Sequence, residues 1–346
     1  MILNNSLNKV AILIPTKGRS LFVIRLLNYY QSVQCPHPLY IGDASEQKYA
    51  TMMQTHISKL NISVHYFNWE NIGPNQTIVM LAQEAFNDSV KYCAFHGDDD
   101  YFIPQSLFNA AEFLSKNPTY TTCQGRAALF TLDRPGAYGN LASVDDYWGE
   151  NELDQDNPIN RLKYFLDNYF VLQFSTHRTL EFLHSSEAYM RIKNDSLGEL
   201  MHCWTFAISG KSKFIDCLYL IRHSHPAVNH LPMLDLLLNP TWSLDIESIK
   251  EALTNQLSRK EKISNDEAFM IVMDVLKRTI LNAVLSSNQN LFRRVLISIK
   301  SMLSRHIKEK VRIMLVAESS LSILQSKKSI YFEQFKPVLD SMKSDV

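Results

Sequence analysis

Short, continuous apolar runs alternate with stretches of helical periodicity through the first third of the chain. Val10-Ala11-Ile12-Leu13-Ile14 is of strand length, has no polar face, and is ended by Pro15-Thr16. From Ser20 through Tyr30 apolar residues then recur at helical spacing. Leu39-Tyr40-Ile41-Gly42 reads as a second strand running into Asp43, with a helix from about Glu46 to Leu60 after it. Ile62 to Phe67 is a third strand, and Asn71-Ile72-Gly73-Pro74-Asn75 opens a helix from about Gln76 to Asn87. The fourth strand, Val90 to Phe95, runs into His96-Gly97-Asp98-Asp99-Asp100, and a helix from Ser106 to Leu114 follows.

Strands alternating with helices predict an α/β fold with a doubly wound, mostly parallel sheet, whose ligands bind beyond the carboxyl ends of the strands. Those ends carry Pro15-Thr16, Asp43 and the Asp98 to Asp100 run. Three adjacent carboxylates repel one another and lose hydration when buried, unless a cation shares the site. Mg²⁺ or Mn²⁺ suits such a place, held by one or two carboxylates together with a substrate's phosphates. The plain alternative is a solvated acidic turn.

Farther along, Tyr120 to Gly125 reads as a strand and Leu132 to Asn160, rich in Gly, Asp, Asn and Pro, as a long loop. Such loops are often functional, and Tyr138, Tyr147 and Trp148 in it are candidates for stacking on a sugar. Asn160 to Tyr169 is a predicted helix and Tyr169 to Thr176 a predicted strand, with His177-Arg178 at its end. Ser196-Leu197-Gly198-Glu199 has the form of a capping box before a helix, Leu200 to Ser209, that stops at Gly210. Two further strands, Lys213 to Asp216 and Leu218 to Ile221, lead to His223 and His225, one residue apart and so on one face of an extended segment. From about Asp245 helices take over: Glu247 to Leu257, Asp266 to Leu285, Leu291 to Val316 and Ser320 to Ser341.

Composition narrows the choice. The 346 residues balance 35 basic against 35 acidic side chains, which leaves no global field to draw in nucleic acid. Five cysteines, scattered singly, fit a reducing compartment and argue against a zinc site. No secretory signal is visible, and nothing reaches the roughly 18 apolar residues of a membrane span, so a cytoplasmic protein is expected. The stretch 291–314 carries seven basic residues against Glu309 alone, which suits peripheral contact with the inner face of a membrane or a solvated bundle face. No Gly-x-Gly-x-x-Gly or Walker loop occurs.

In their order these features resemble the family-two nucleotide-sugar glycosyltransferases of GT-A fold. The resemblance spans roughly residues 8 to 228 and rests on Ile14-Pro15-Thr16 with Arg19, on Gly42-Asp43, on Asn71-Ile72-Gly73, and on Asp98-Asp99-Asp100 as the Asp-x-Asp motif. It implies a GT-A domain over 1–240, with a donor half at about 8–130 and an acceptor half at about 131–230, followed by a helical domain at 241–346. It implies donor binding by Pro15, Thr16, Arg19, Asp43, Asn71, Gly73, Asp98 and Asp99. Mn²⁺ or Mg²⁺ would be held by Asp98, Asp100 and one of His223 and His225. Glu199 would be the base that activates an acceptor hydroxyl, with Asp195 as its rival. The chain departs from the family pattern where Leu200 stands in place of a second acid after Glu199. The activity implied is metal-dependent, inverting sugar transfer from a nucleotide sugar to a glycan or lipid-linked glycan, in bacterial surface-glycan synthesis. Two alternatives stand: a nucleotidyltransferase, which would need a Gly-rich loop where Pro15 to Arg19 has one glycine, and an inactive glycan- or partner-binding module.

Overall fold

Burial on both faces explains the unbroken apolar run of the first strand: every residue from Val10 to Ile14 is fully inaccessible. A computed structural model describes residues 8–148, 150–225, 233–303, 324, 329 and 331–343. Its elements in order are β1 (Val10–Thr16), α1 (Ser20–Ser32), β2 (Leu39–Asp43), α2 (Gln47–Ile57), β3 (Val64–Asn68), α3 (Pro74–Asn87) and β4 (Tyr92–Phe95). Then come β5 (Tyr101–Phe102), α4 (Pro104–Lys116), β6 (Tyr120–Leu132), β7 (Leu141–Trp148), α5 (Pro158–Asp167), β8 (Thr176–Arg178), α6 (Thr179–Ser186) and α7 (Asp195–Ser209). The series closes with β9 (Lys211–His223), α8 (Met233–Leu238), α9 (Ser243–Glu261), α10 (Asn265–Leu303) and α11 (Phe332–Ser341).

One sheet joins all the strands in the order β3-β2-β1-β4-β8-β6-β9-β5, with β7 on the outside of β6. The first four are parallel, and their helices wind back over the faces: α1 buries Val23, Leu26, Leu27 and Tyr30 at helical spacing. Beyond β4 the sheet is mixed. β8 runs antiparallel to β4 and to β6, while β9 runs parallel to β6. The architecture is α/β, a sheet flanked by helices with an acidic turn after β4, followed by a helical C-terminal region. One apolar cluster runs through the molecule and includes Leu253 of α9 and Phe335 and Val338 of α11, so the C-terminal helices share the core of the sheet.

The structure redraws several predicted segments. The expected loop 132–160 contains β7, paired antiparallel with a β6 that runs on to Leu132, well past Gly125. The two strands expected between Lys213 and Ile221 are one, because Asp216-Cys217 is accommodated by a shift of register against β6 rather than a turn. Gly125 permits that shift: a Cβ there would lie 2.6 Å from the carbonyl oxygen of Cys217. Of the strand expected at 169–176 only its end pairs, as β8. Arg178 donates to the carbonyls of Leu114, Asn117 and Tyr120, from the end of α4 to the start of β6. The helices expected at 266–285 and 291–316 are continuous as α10 up to Leu303; 304–323 lies outside the described residues, as do the side chains of the basic stretch 291–314. Among the described residues no helix is long and apolar enough to cross a membrane.

Candidate active site

Strand register builds the site. Thr16, Asp43 and Asn68 are level with one another at the carboxyl ends of β1, β2 and β3. On the other side of β1, Phe95 pairs with Leu13, so the chain leaves β4 beside Pro15-Thr16. From β1 the chain runs outward to β2 and β3, then crosses back through α3 to β4 on the other side of β1, and the crevice opens where the strand order reverses. A cleft of about 280 Å³ lies there, lined by Pro15, Thr16, Arg19, Ala44, Ile72, Pro74, Gly97, Asp98 and Asp99 among others. Helices α1 and α3 both begin at this cleft, α3 with Gly73 before it and Pro74 as its first residue, and their N-terminal dipoles favour an anion. Asn71 takes the left-handed conformation (φ 61°) in the turn between β3 and α3. Asp43 is buried beside the cleft, its carboxylate accepting from the Ser45 amide at 2.9 Å and from the Tyr66 hydroxyl at 2.8 Å.

The three consecutive acids point three ways. Thr16 Oγ1 donates to Asp98 at 2.6 Å, and Arg19 Nε lies 3.3 Å from the same carboxylate. Asp99 Oδ2 receives Arg19 Nη2 at 2.6 Å and lies 2.7 Å from His225 Nε2. Asp100 accepts from Arg222 Nε at 2.9 Å and from the His223 amide at 3.0 Å. The last pairing follows from β5, whose Tyr101 and Phe102 pair antiparallel with Ile221 and Leu220 of β9 and so carry Asp100 to Arg222 and His223.

Among the described residues, the group that could hold a cation is Asp99, His223 and His225, whose donor atoms all lie within 4.8 Å of one another. The resemblance led to an expectation of Asp98 and Asp100 in that place. Residues 97 to 100 form a turn closed by the Asp100 amide on the Gly97 carbonyl, so the alternation of an extended strand does not apply and the middle carboxylate meets the histidines. The His223 ring is stacked on Phe130 at 4.6 Å, and its Nδ1 is buried without a hydrogen-bond partner. A buried ring nitrogen left open beside a carboxylate and a second imidazole is a fitting donor set for a divalent ion.

Electrostatics set the protonation of the group. Burial pushes the Asp98 carboxyl up to about 7, helped by the charge of Asp99 and opposed by Arg19 and Thr16. Burial works against a charge on Asp99 too, but His225 and Arg19 outweigh it and hold that carboxyl below the usual range. Asp100 is raised by burial, against the pull of Arg222. Burial, with His225 and Arg25 nearby, lowers His223 to about 3, so its ring is neutral and able to ligate.

Glu199 is not among the residues lining the cleft. Helix α7 begins at Asp195 with Asn194 as its cap, the Asn194 side chain accepting from the Leu197 amide at 3.0 Å. The expected Ser196–Glu199 capping box is thus displaced by the residue two before Ser196, and Glu199 is freed for other contacts. Its Oε1 accepts from the Tyr169 hydroxyl at 2.9 Å and its Oε2 from the Gln173 amide at 2.8 Å. Its charge acts on Tyr147, whose hydroxyl accepts from Arg222 Nη1 at 2.6 Å, and Arg222 in turn holds Asp100. Asp195 is exposed on the first turn of α7. Tyr147 therefore packs at the site, its ring under the Arg222 guanidinium at 4.8 Å. Tyr138 stands in the loop between β6 and β7, and the side chain of Trp148 lies outside the described residues.

Three residues of this neighbourhood escaped the sequence reading. His96, fully buried, braces the acidic turn through the Tyr30 hydroxyl at 2.8 Å and the Gly97 carbonyl at 2.6 Å. Arg222 could have been suspected as a charge closing the apolar run Leu218 to Ile221. Arg25 gave no signal, because an arginine within a helical pattern reads as part of a solvated face.

No protein-family model and no curated sequence matches the chain. In structure it is similar to TarS of S. aureus. Against TarS 1-349 the identity is 15% and the TM-score 0.49, covering 80% of this chain and 72% of that one. The same fragment in complex with UDP-GlcNAc gives 16% and 0.44, covering 80% and 79%. Against a longer TarS chain the identity is 14% and the TM-score 0.48, covering 78% of this chain but 43% of that one, so the chain spans less than half of that length.

Proposed function

We propose that the protein is a glycosyltransferase that moves a sugar from a nucleotide-sugar donor to an acceptor hydroxyl, with a divalent metal, in the synthesis of a bacterial surface glycan. The observation that carries this reading is the Asp99, His223, His225 group, with its unpartnered His223 Nδ1, at the rim of a cleft where the parallel strands end. Asp99 and the two histidines would hold the ion, and their mixed oxygen and nitrogen donors suit Mn²⁺ better than Mg²⁺. When bound, it supplies Lewis-acid neutralisation of a leaving diphosphate. Asp43, backed by Tyr66, serves the base of the nucleotide, and Pro15, Thr16 and Asp98 serve its ribose. Arg19 and the beginnings of α1 and α3 receive phosphate oxygens.

Glu199 accepts the proton of the acceptor hydroxyl. The hydroxyl oxygen bonds to the anomeric carbon as the bond from that carbon to the diphosphate breaks, and the electron pair leaves with the diphosphate. Each Glu199 oxygen accepts one hydrogen bond in the resting site, from Tyr169 or Gln173, and keeps a lone pair for this task. No second carboxylate is assigned as nucleophile, so a single displacement with inversion is the expected course. A thermal-shift titration with nucleoside diphosphates and nucleotide sugars, UDP and UDP-GlcNAc among them, with and without Mn²⁺, tests the reading. Stabilisation by a nucleotide only when Mn²⁺ is present is the expected result, and no stabilisation by any of them would sink it.

A further inference from the structure

Arg25 is a wholly buried arginine whose cation is held by main-chain carbonyls rather than by a carboxylate. It rises from α1, is 0% exposed, and donates Nη2 to the Asp99 carbonyl at 2.9 Å and Nη1 to the Ala137 carbonyl. Its guanidinium lies 5.2 Å from the ring of Phe22 and 5.3 Å from that of Tyr101. Burying such a charge is costly, and a shape-matched apolar residue would fill the same space more stably, so its retention calls for a task.

The second anchor, Ala137, belongs to the tight loop between β6 and β7. That loop is closed on itself by Asp133 and Asn140, which exchange hydrogen bonds of 2.8 to 2.9 Å. It is tied from outside by α11, since the Gly139 amide donates to the Met342 carbonyl at 3.1 Å. The same end of α11 reaches the residue after Asp100, with Ser341 Oγ 3.2 Å from the Tyr101 hydroxyl, and α11 is seated by Phe335, Val338 and Met342, all buried. A continuous set of contacts thus runs from α11 through the loop and Arg25 to the main chain of Asp99.

We propose that Arg25 is a positioning residue of the metal centre and that α11 is its clamp: together they fix the backbone of Asp99 so that its carboxylate stays against His223 and His225. The proposal rests on the metal reading of that cluster. Arg25 touches neither the ion nor the substrate, and acts through where it holds Asp99. Lysine keeps the charge but cannot span both carbonyls, and glutamine keeps one donor group without the charge.

The test is the binding of Mn²⁺ alone to the full chain, read by electron paramagnetic resonance of bound and free ion, at a temperature where every variant is folded. Arg25→Lys and Arg25→Gln should each weaken Mn²⁺ binding at least tenfold, and Phe335→Ala, remote from the acids, at least threefold. Leu253→Ala, a buried α9 residue outside these contacts, should lose stability yet bind Mn²⁺ within twofold of the wild type. If the Arg25 variants and Phe335→Ala bind as Leu253→Ala does, the proposal is overturned. Should the Arg25 variants fail to fold, Phe335→Ala against Leu253→Ala decides alone. A wild type that binds no Mn²⁺ overturns the metal reading itself, a failure that can be told apart from the first.

Discussion

Arg222 Nε lies 2.9 Å from Asp100 Oδ2, although 122 residues separate them along the chain. Asp100 is 1% exposed at its side chain and Arg222 27%, so this ion pair joins the acidic turn to the last strand largely out of water. Removing one partner leaves the other buried and uncompensated. Arg222→Gln should therefore lower unfolding stability by about 3 kcal/mol, the low end for buried pairs because the guanidinium keeps some solvent. Adding Asp100→Asn to that variant should recover part of the loss, as read from urea denaturation of the two single variants and the double.

The acids should separate by function. Asp99→Asn removes the charge that faces both histidines and should weaken Mn²⁺ binding at least tenfold. Asp98→Asn, whose carboxyl is already raised by burial and is bound to Thr16, should weaken it far less. Calorimetric titration of Mn²⁺ into the two variants measures the difference; a larger loss for Asp98→Asn than for Asp99→Asn would mean that the ion sits between the outer acids instead.

Glu199→Gln is close to isosteric and can still meet Tyr169 and Gln173. It should leave donor and Mn²⁺ affinity near wild type while kcat falls by about 10²–10⁴, the range for a lost general base. Tyr169→Phe, which removes one donor to the carboxylate, should cost much less. Steady-state kinetics with a nucleotide sugar check both, and near-normal turnover by Glu199→Gln would end its assignment.

A buried histidine makes stability depend on pH. His37 Nδ1 accepts from the Val10 amide at 3.1 Å, so its other nitrogen carries the proton toward the Pro104 carbonyl and the ring is neutral. Burial lowers it to about 4 from the ordinary 6.5. The folded state therefore takes up its proton later than the unfolded chain as the solution is acidified. The stability it confers is complete above pH 6.5 and is lost as pH falls toward 4, on the order of 3 kcal/mol across that window. His37→Gln keeps an acceptor and a donor without a titrating ring. Its unfolding free energy, followed by denaturant at pH 7, 6, 5 and 4, should fall less steeply than that of the wild type.

The parallel half of the molecule could be read in the sequence because local and global signals agree there. Strands buried on both faces are continuous apolar runs, and Pro74 and Pro104 mark helix starts. The strand β7 escaped because it lies outside β6 with Asp145 and Asp146 open to solvent, and because Pro135, Gly136 and Gly139 before it resemble a loop. The residues of the acidic site were legible, but their partners were not. Which carboxylate meets the histidines depends on a turn of four residues, and Arg222 reaches Asp100 only through a strand pairing across the sheet. A capping box and a candidate base are the same four letters at Ser196 to Glu199 until the true cap, Asn194, is known.

The seating of α11 on α1 bears on how the protein is made. A ribosome delivers about 5–20 residues per second, so tens of seconds pass between the first helix and the one that covers it. During that interval a nascent chain presents the outer side of α1 bare, and a product cut short before Phe332 never hides it. Growing chains should for that reason lean on chaperones until synthesis has passed α11, and shortened products should be prone to clump.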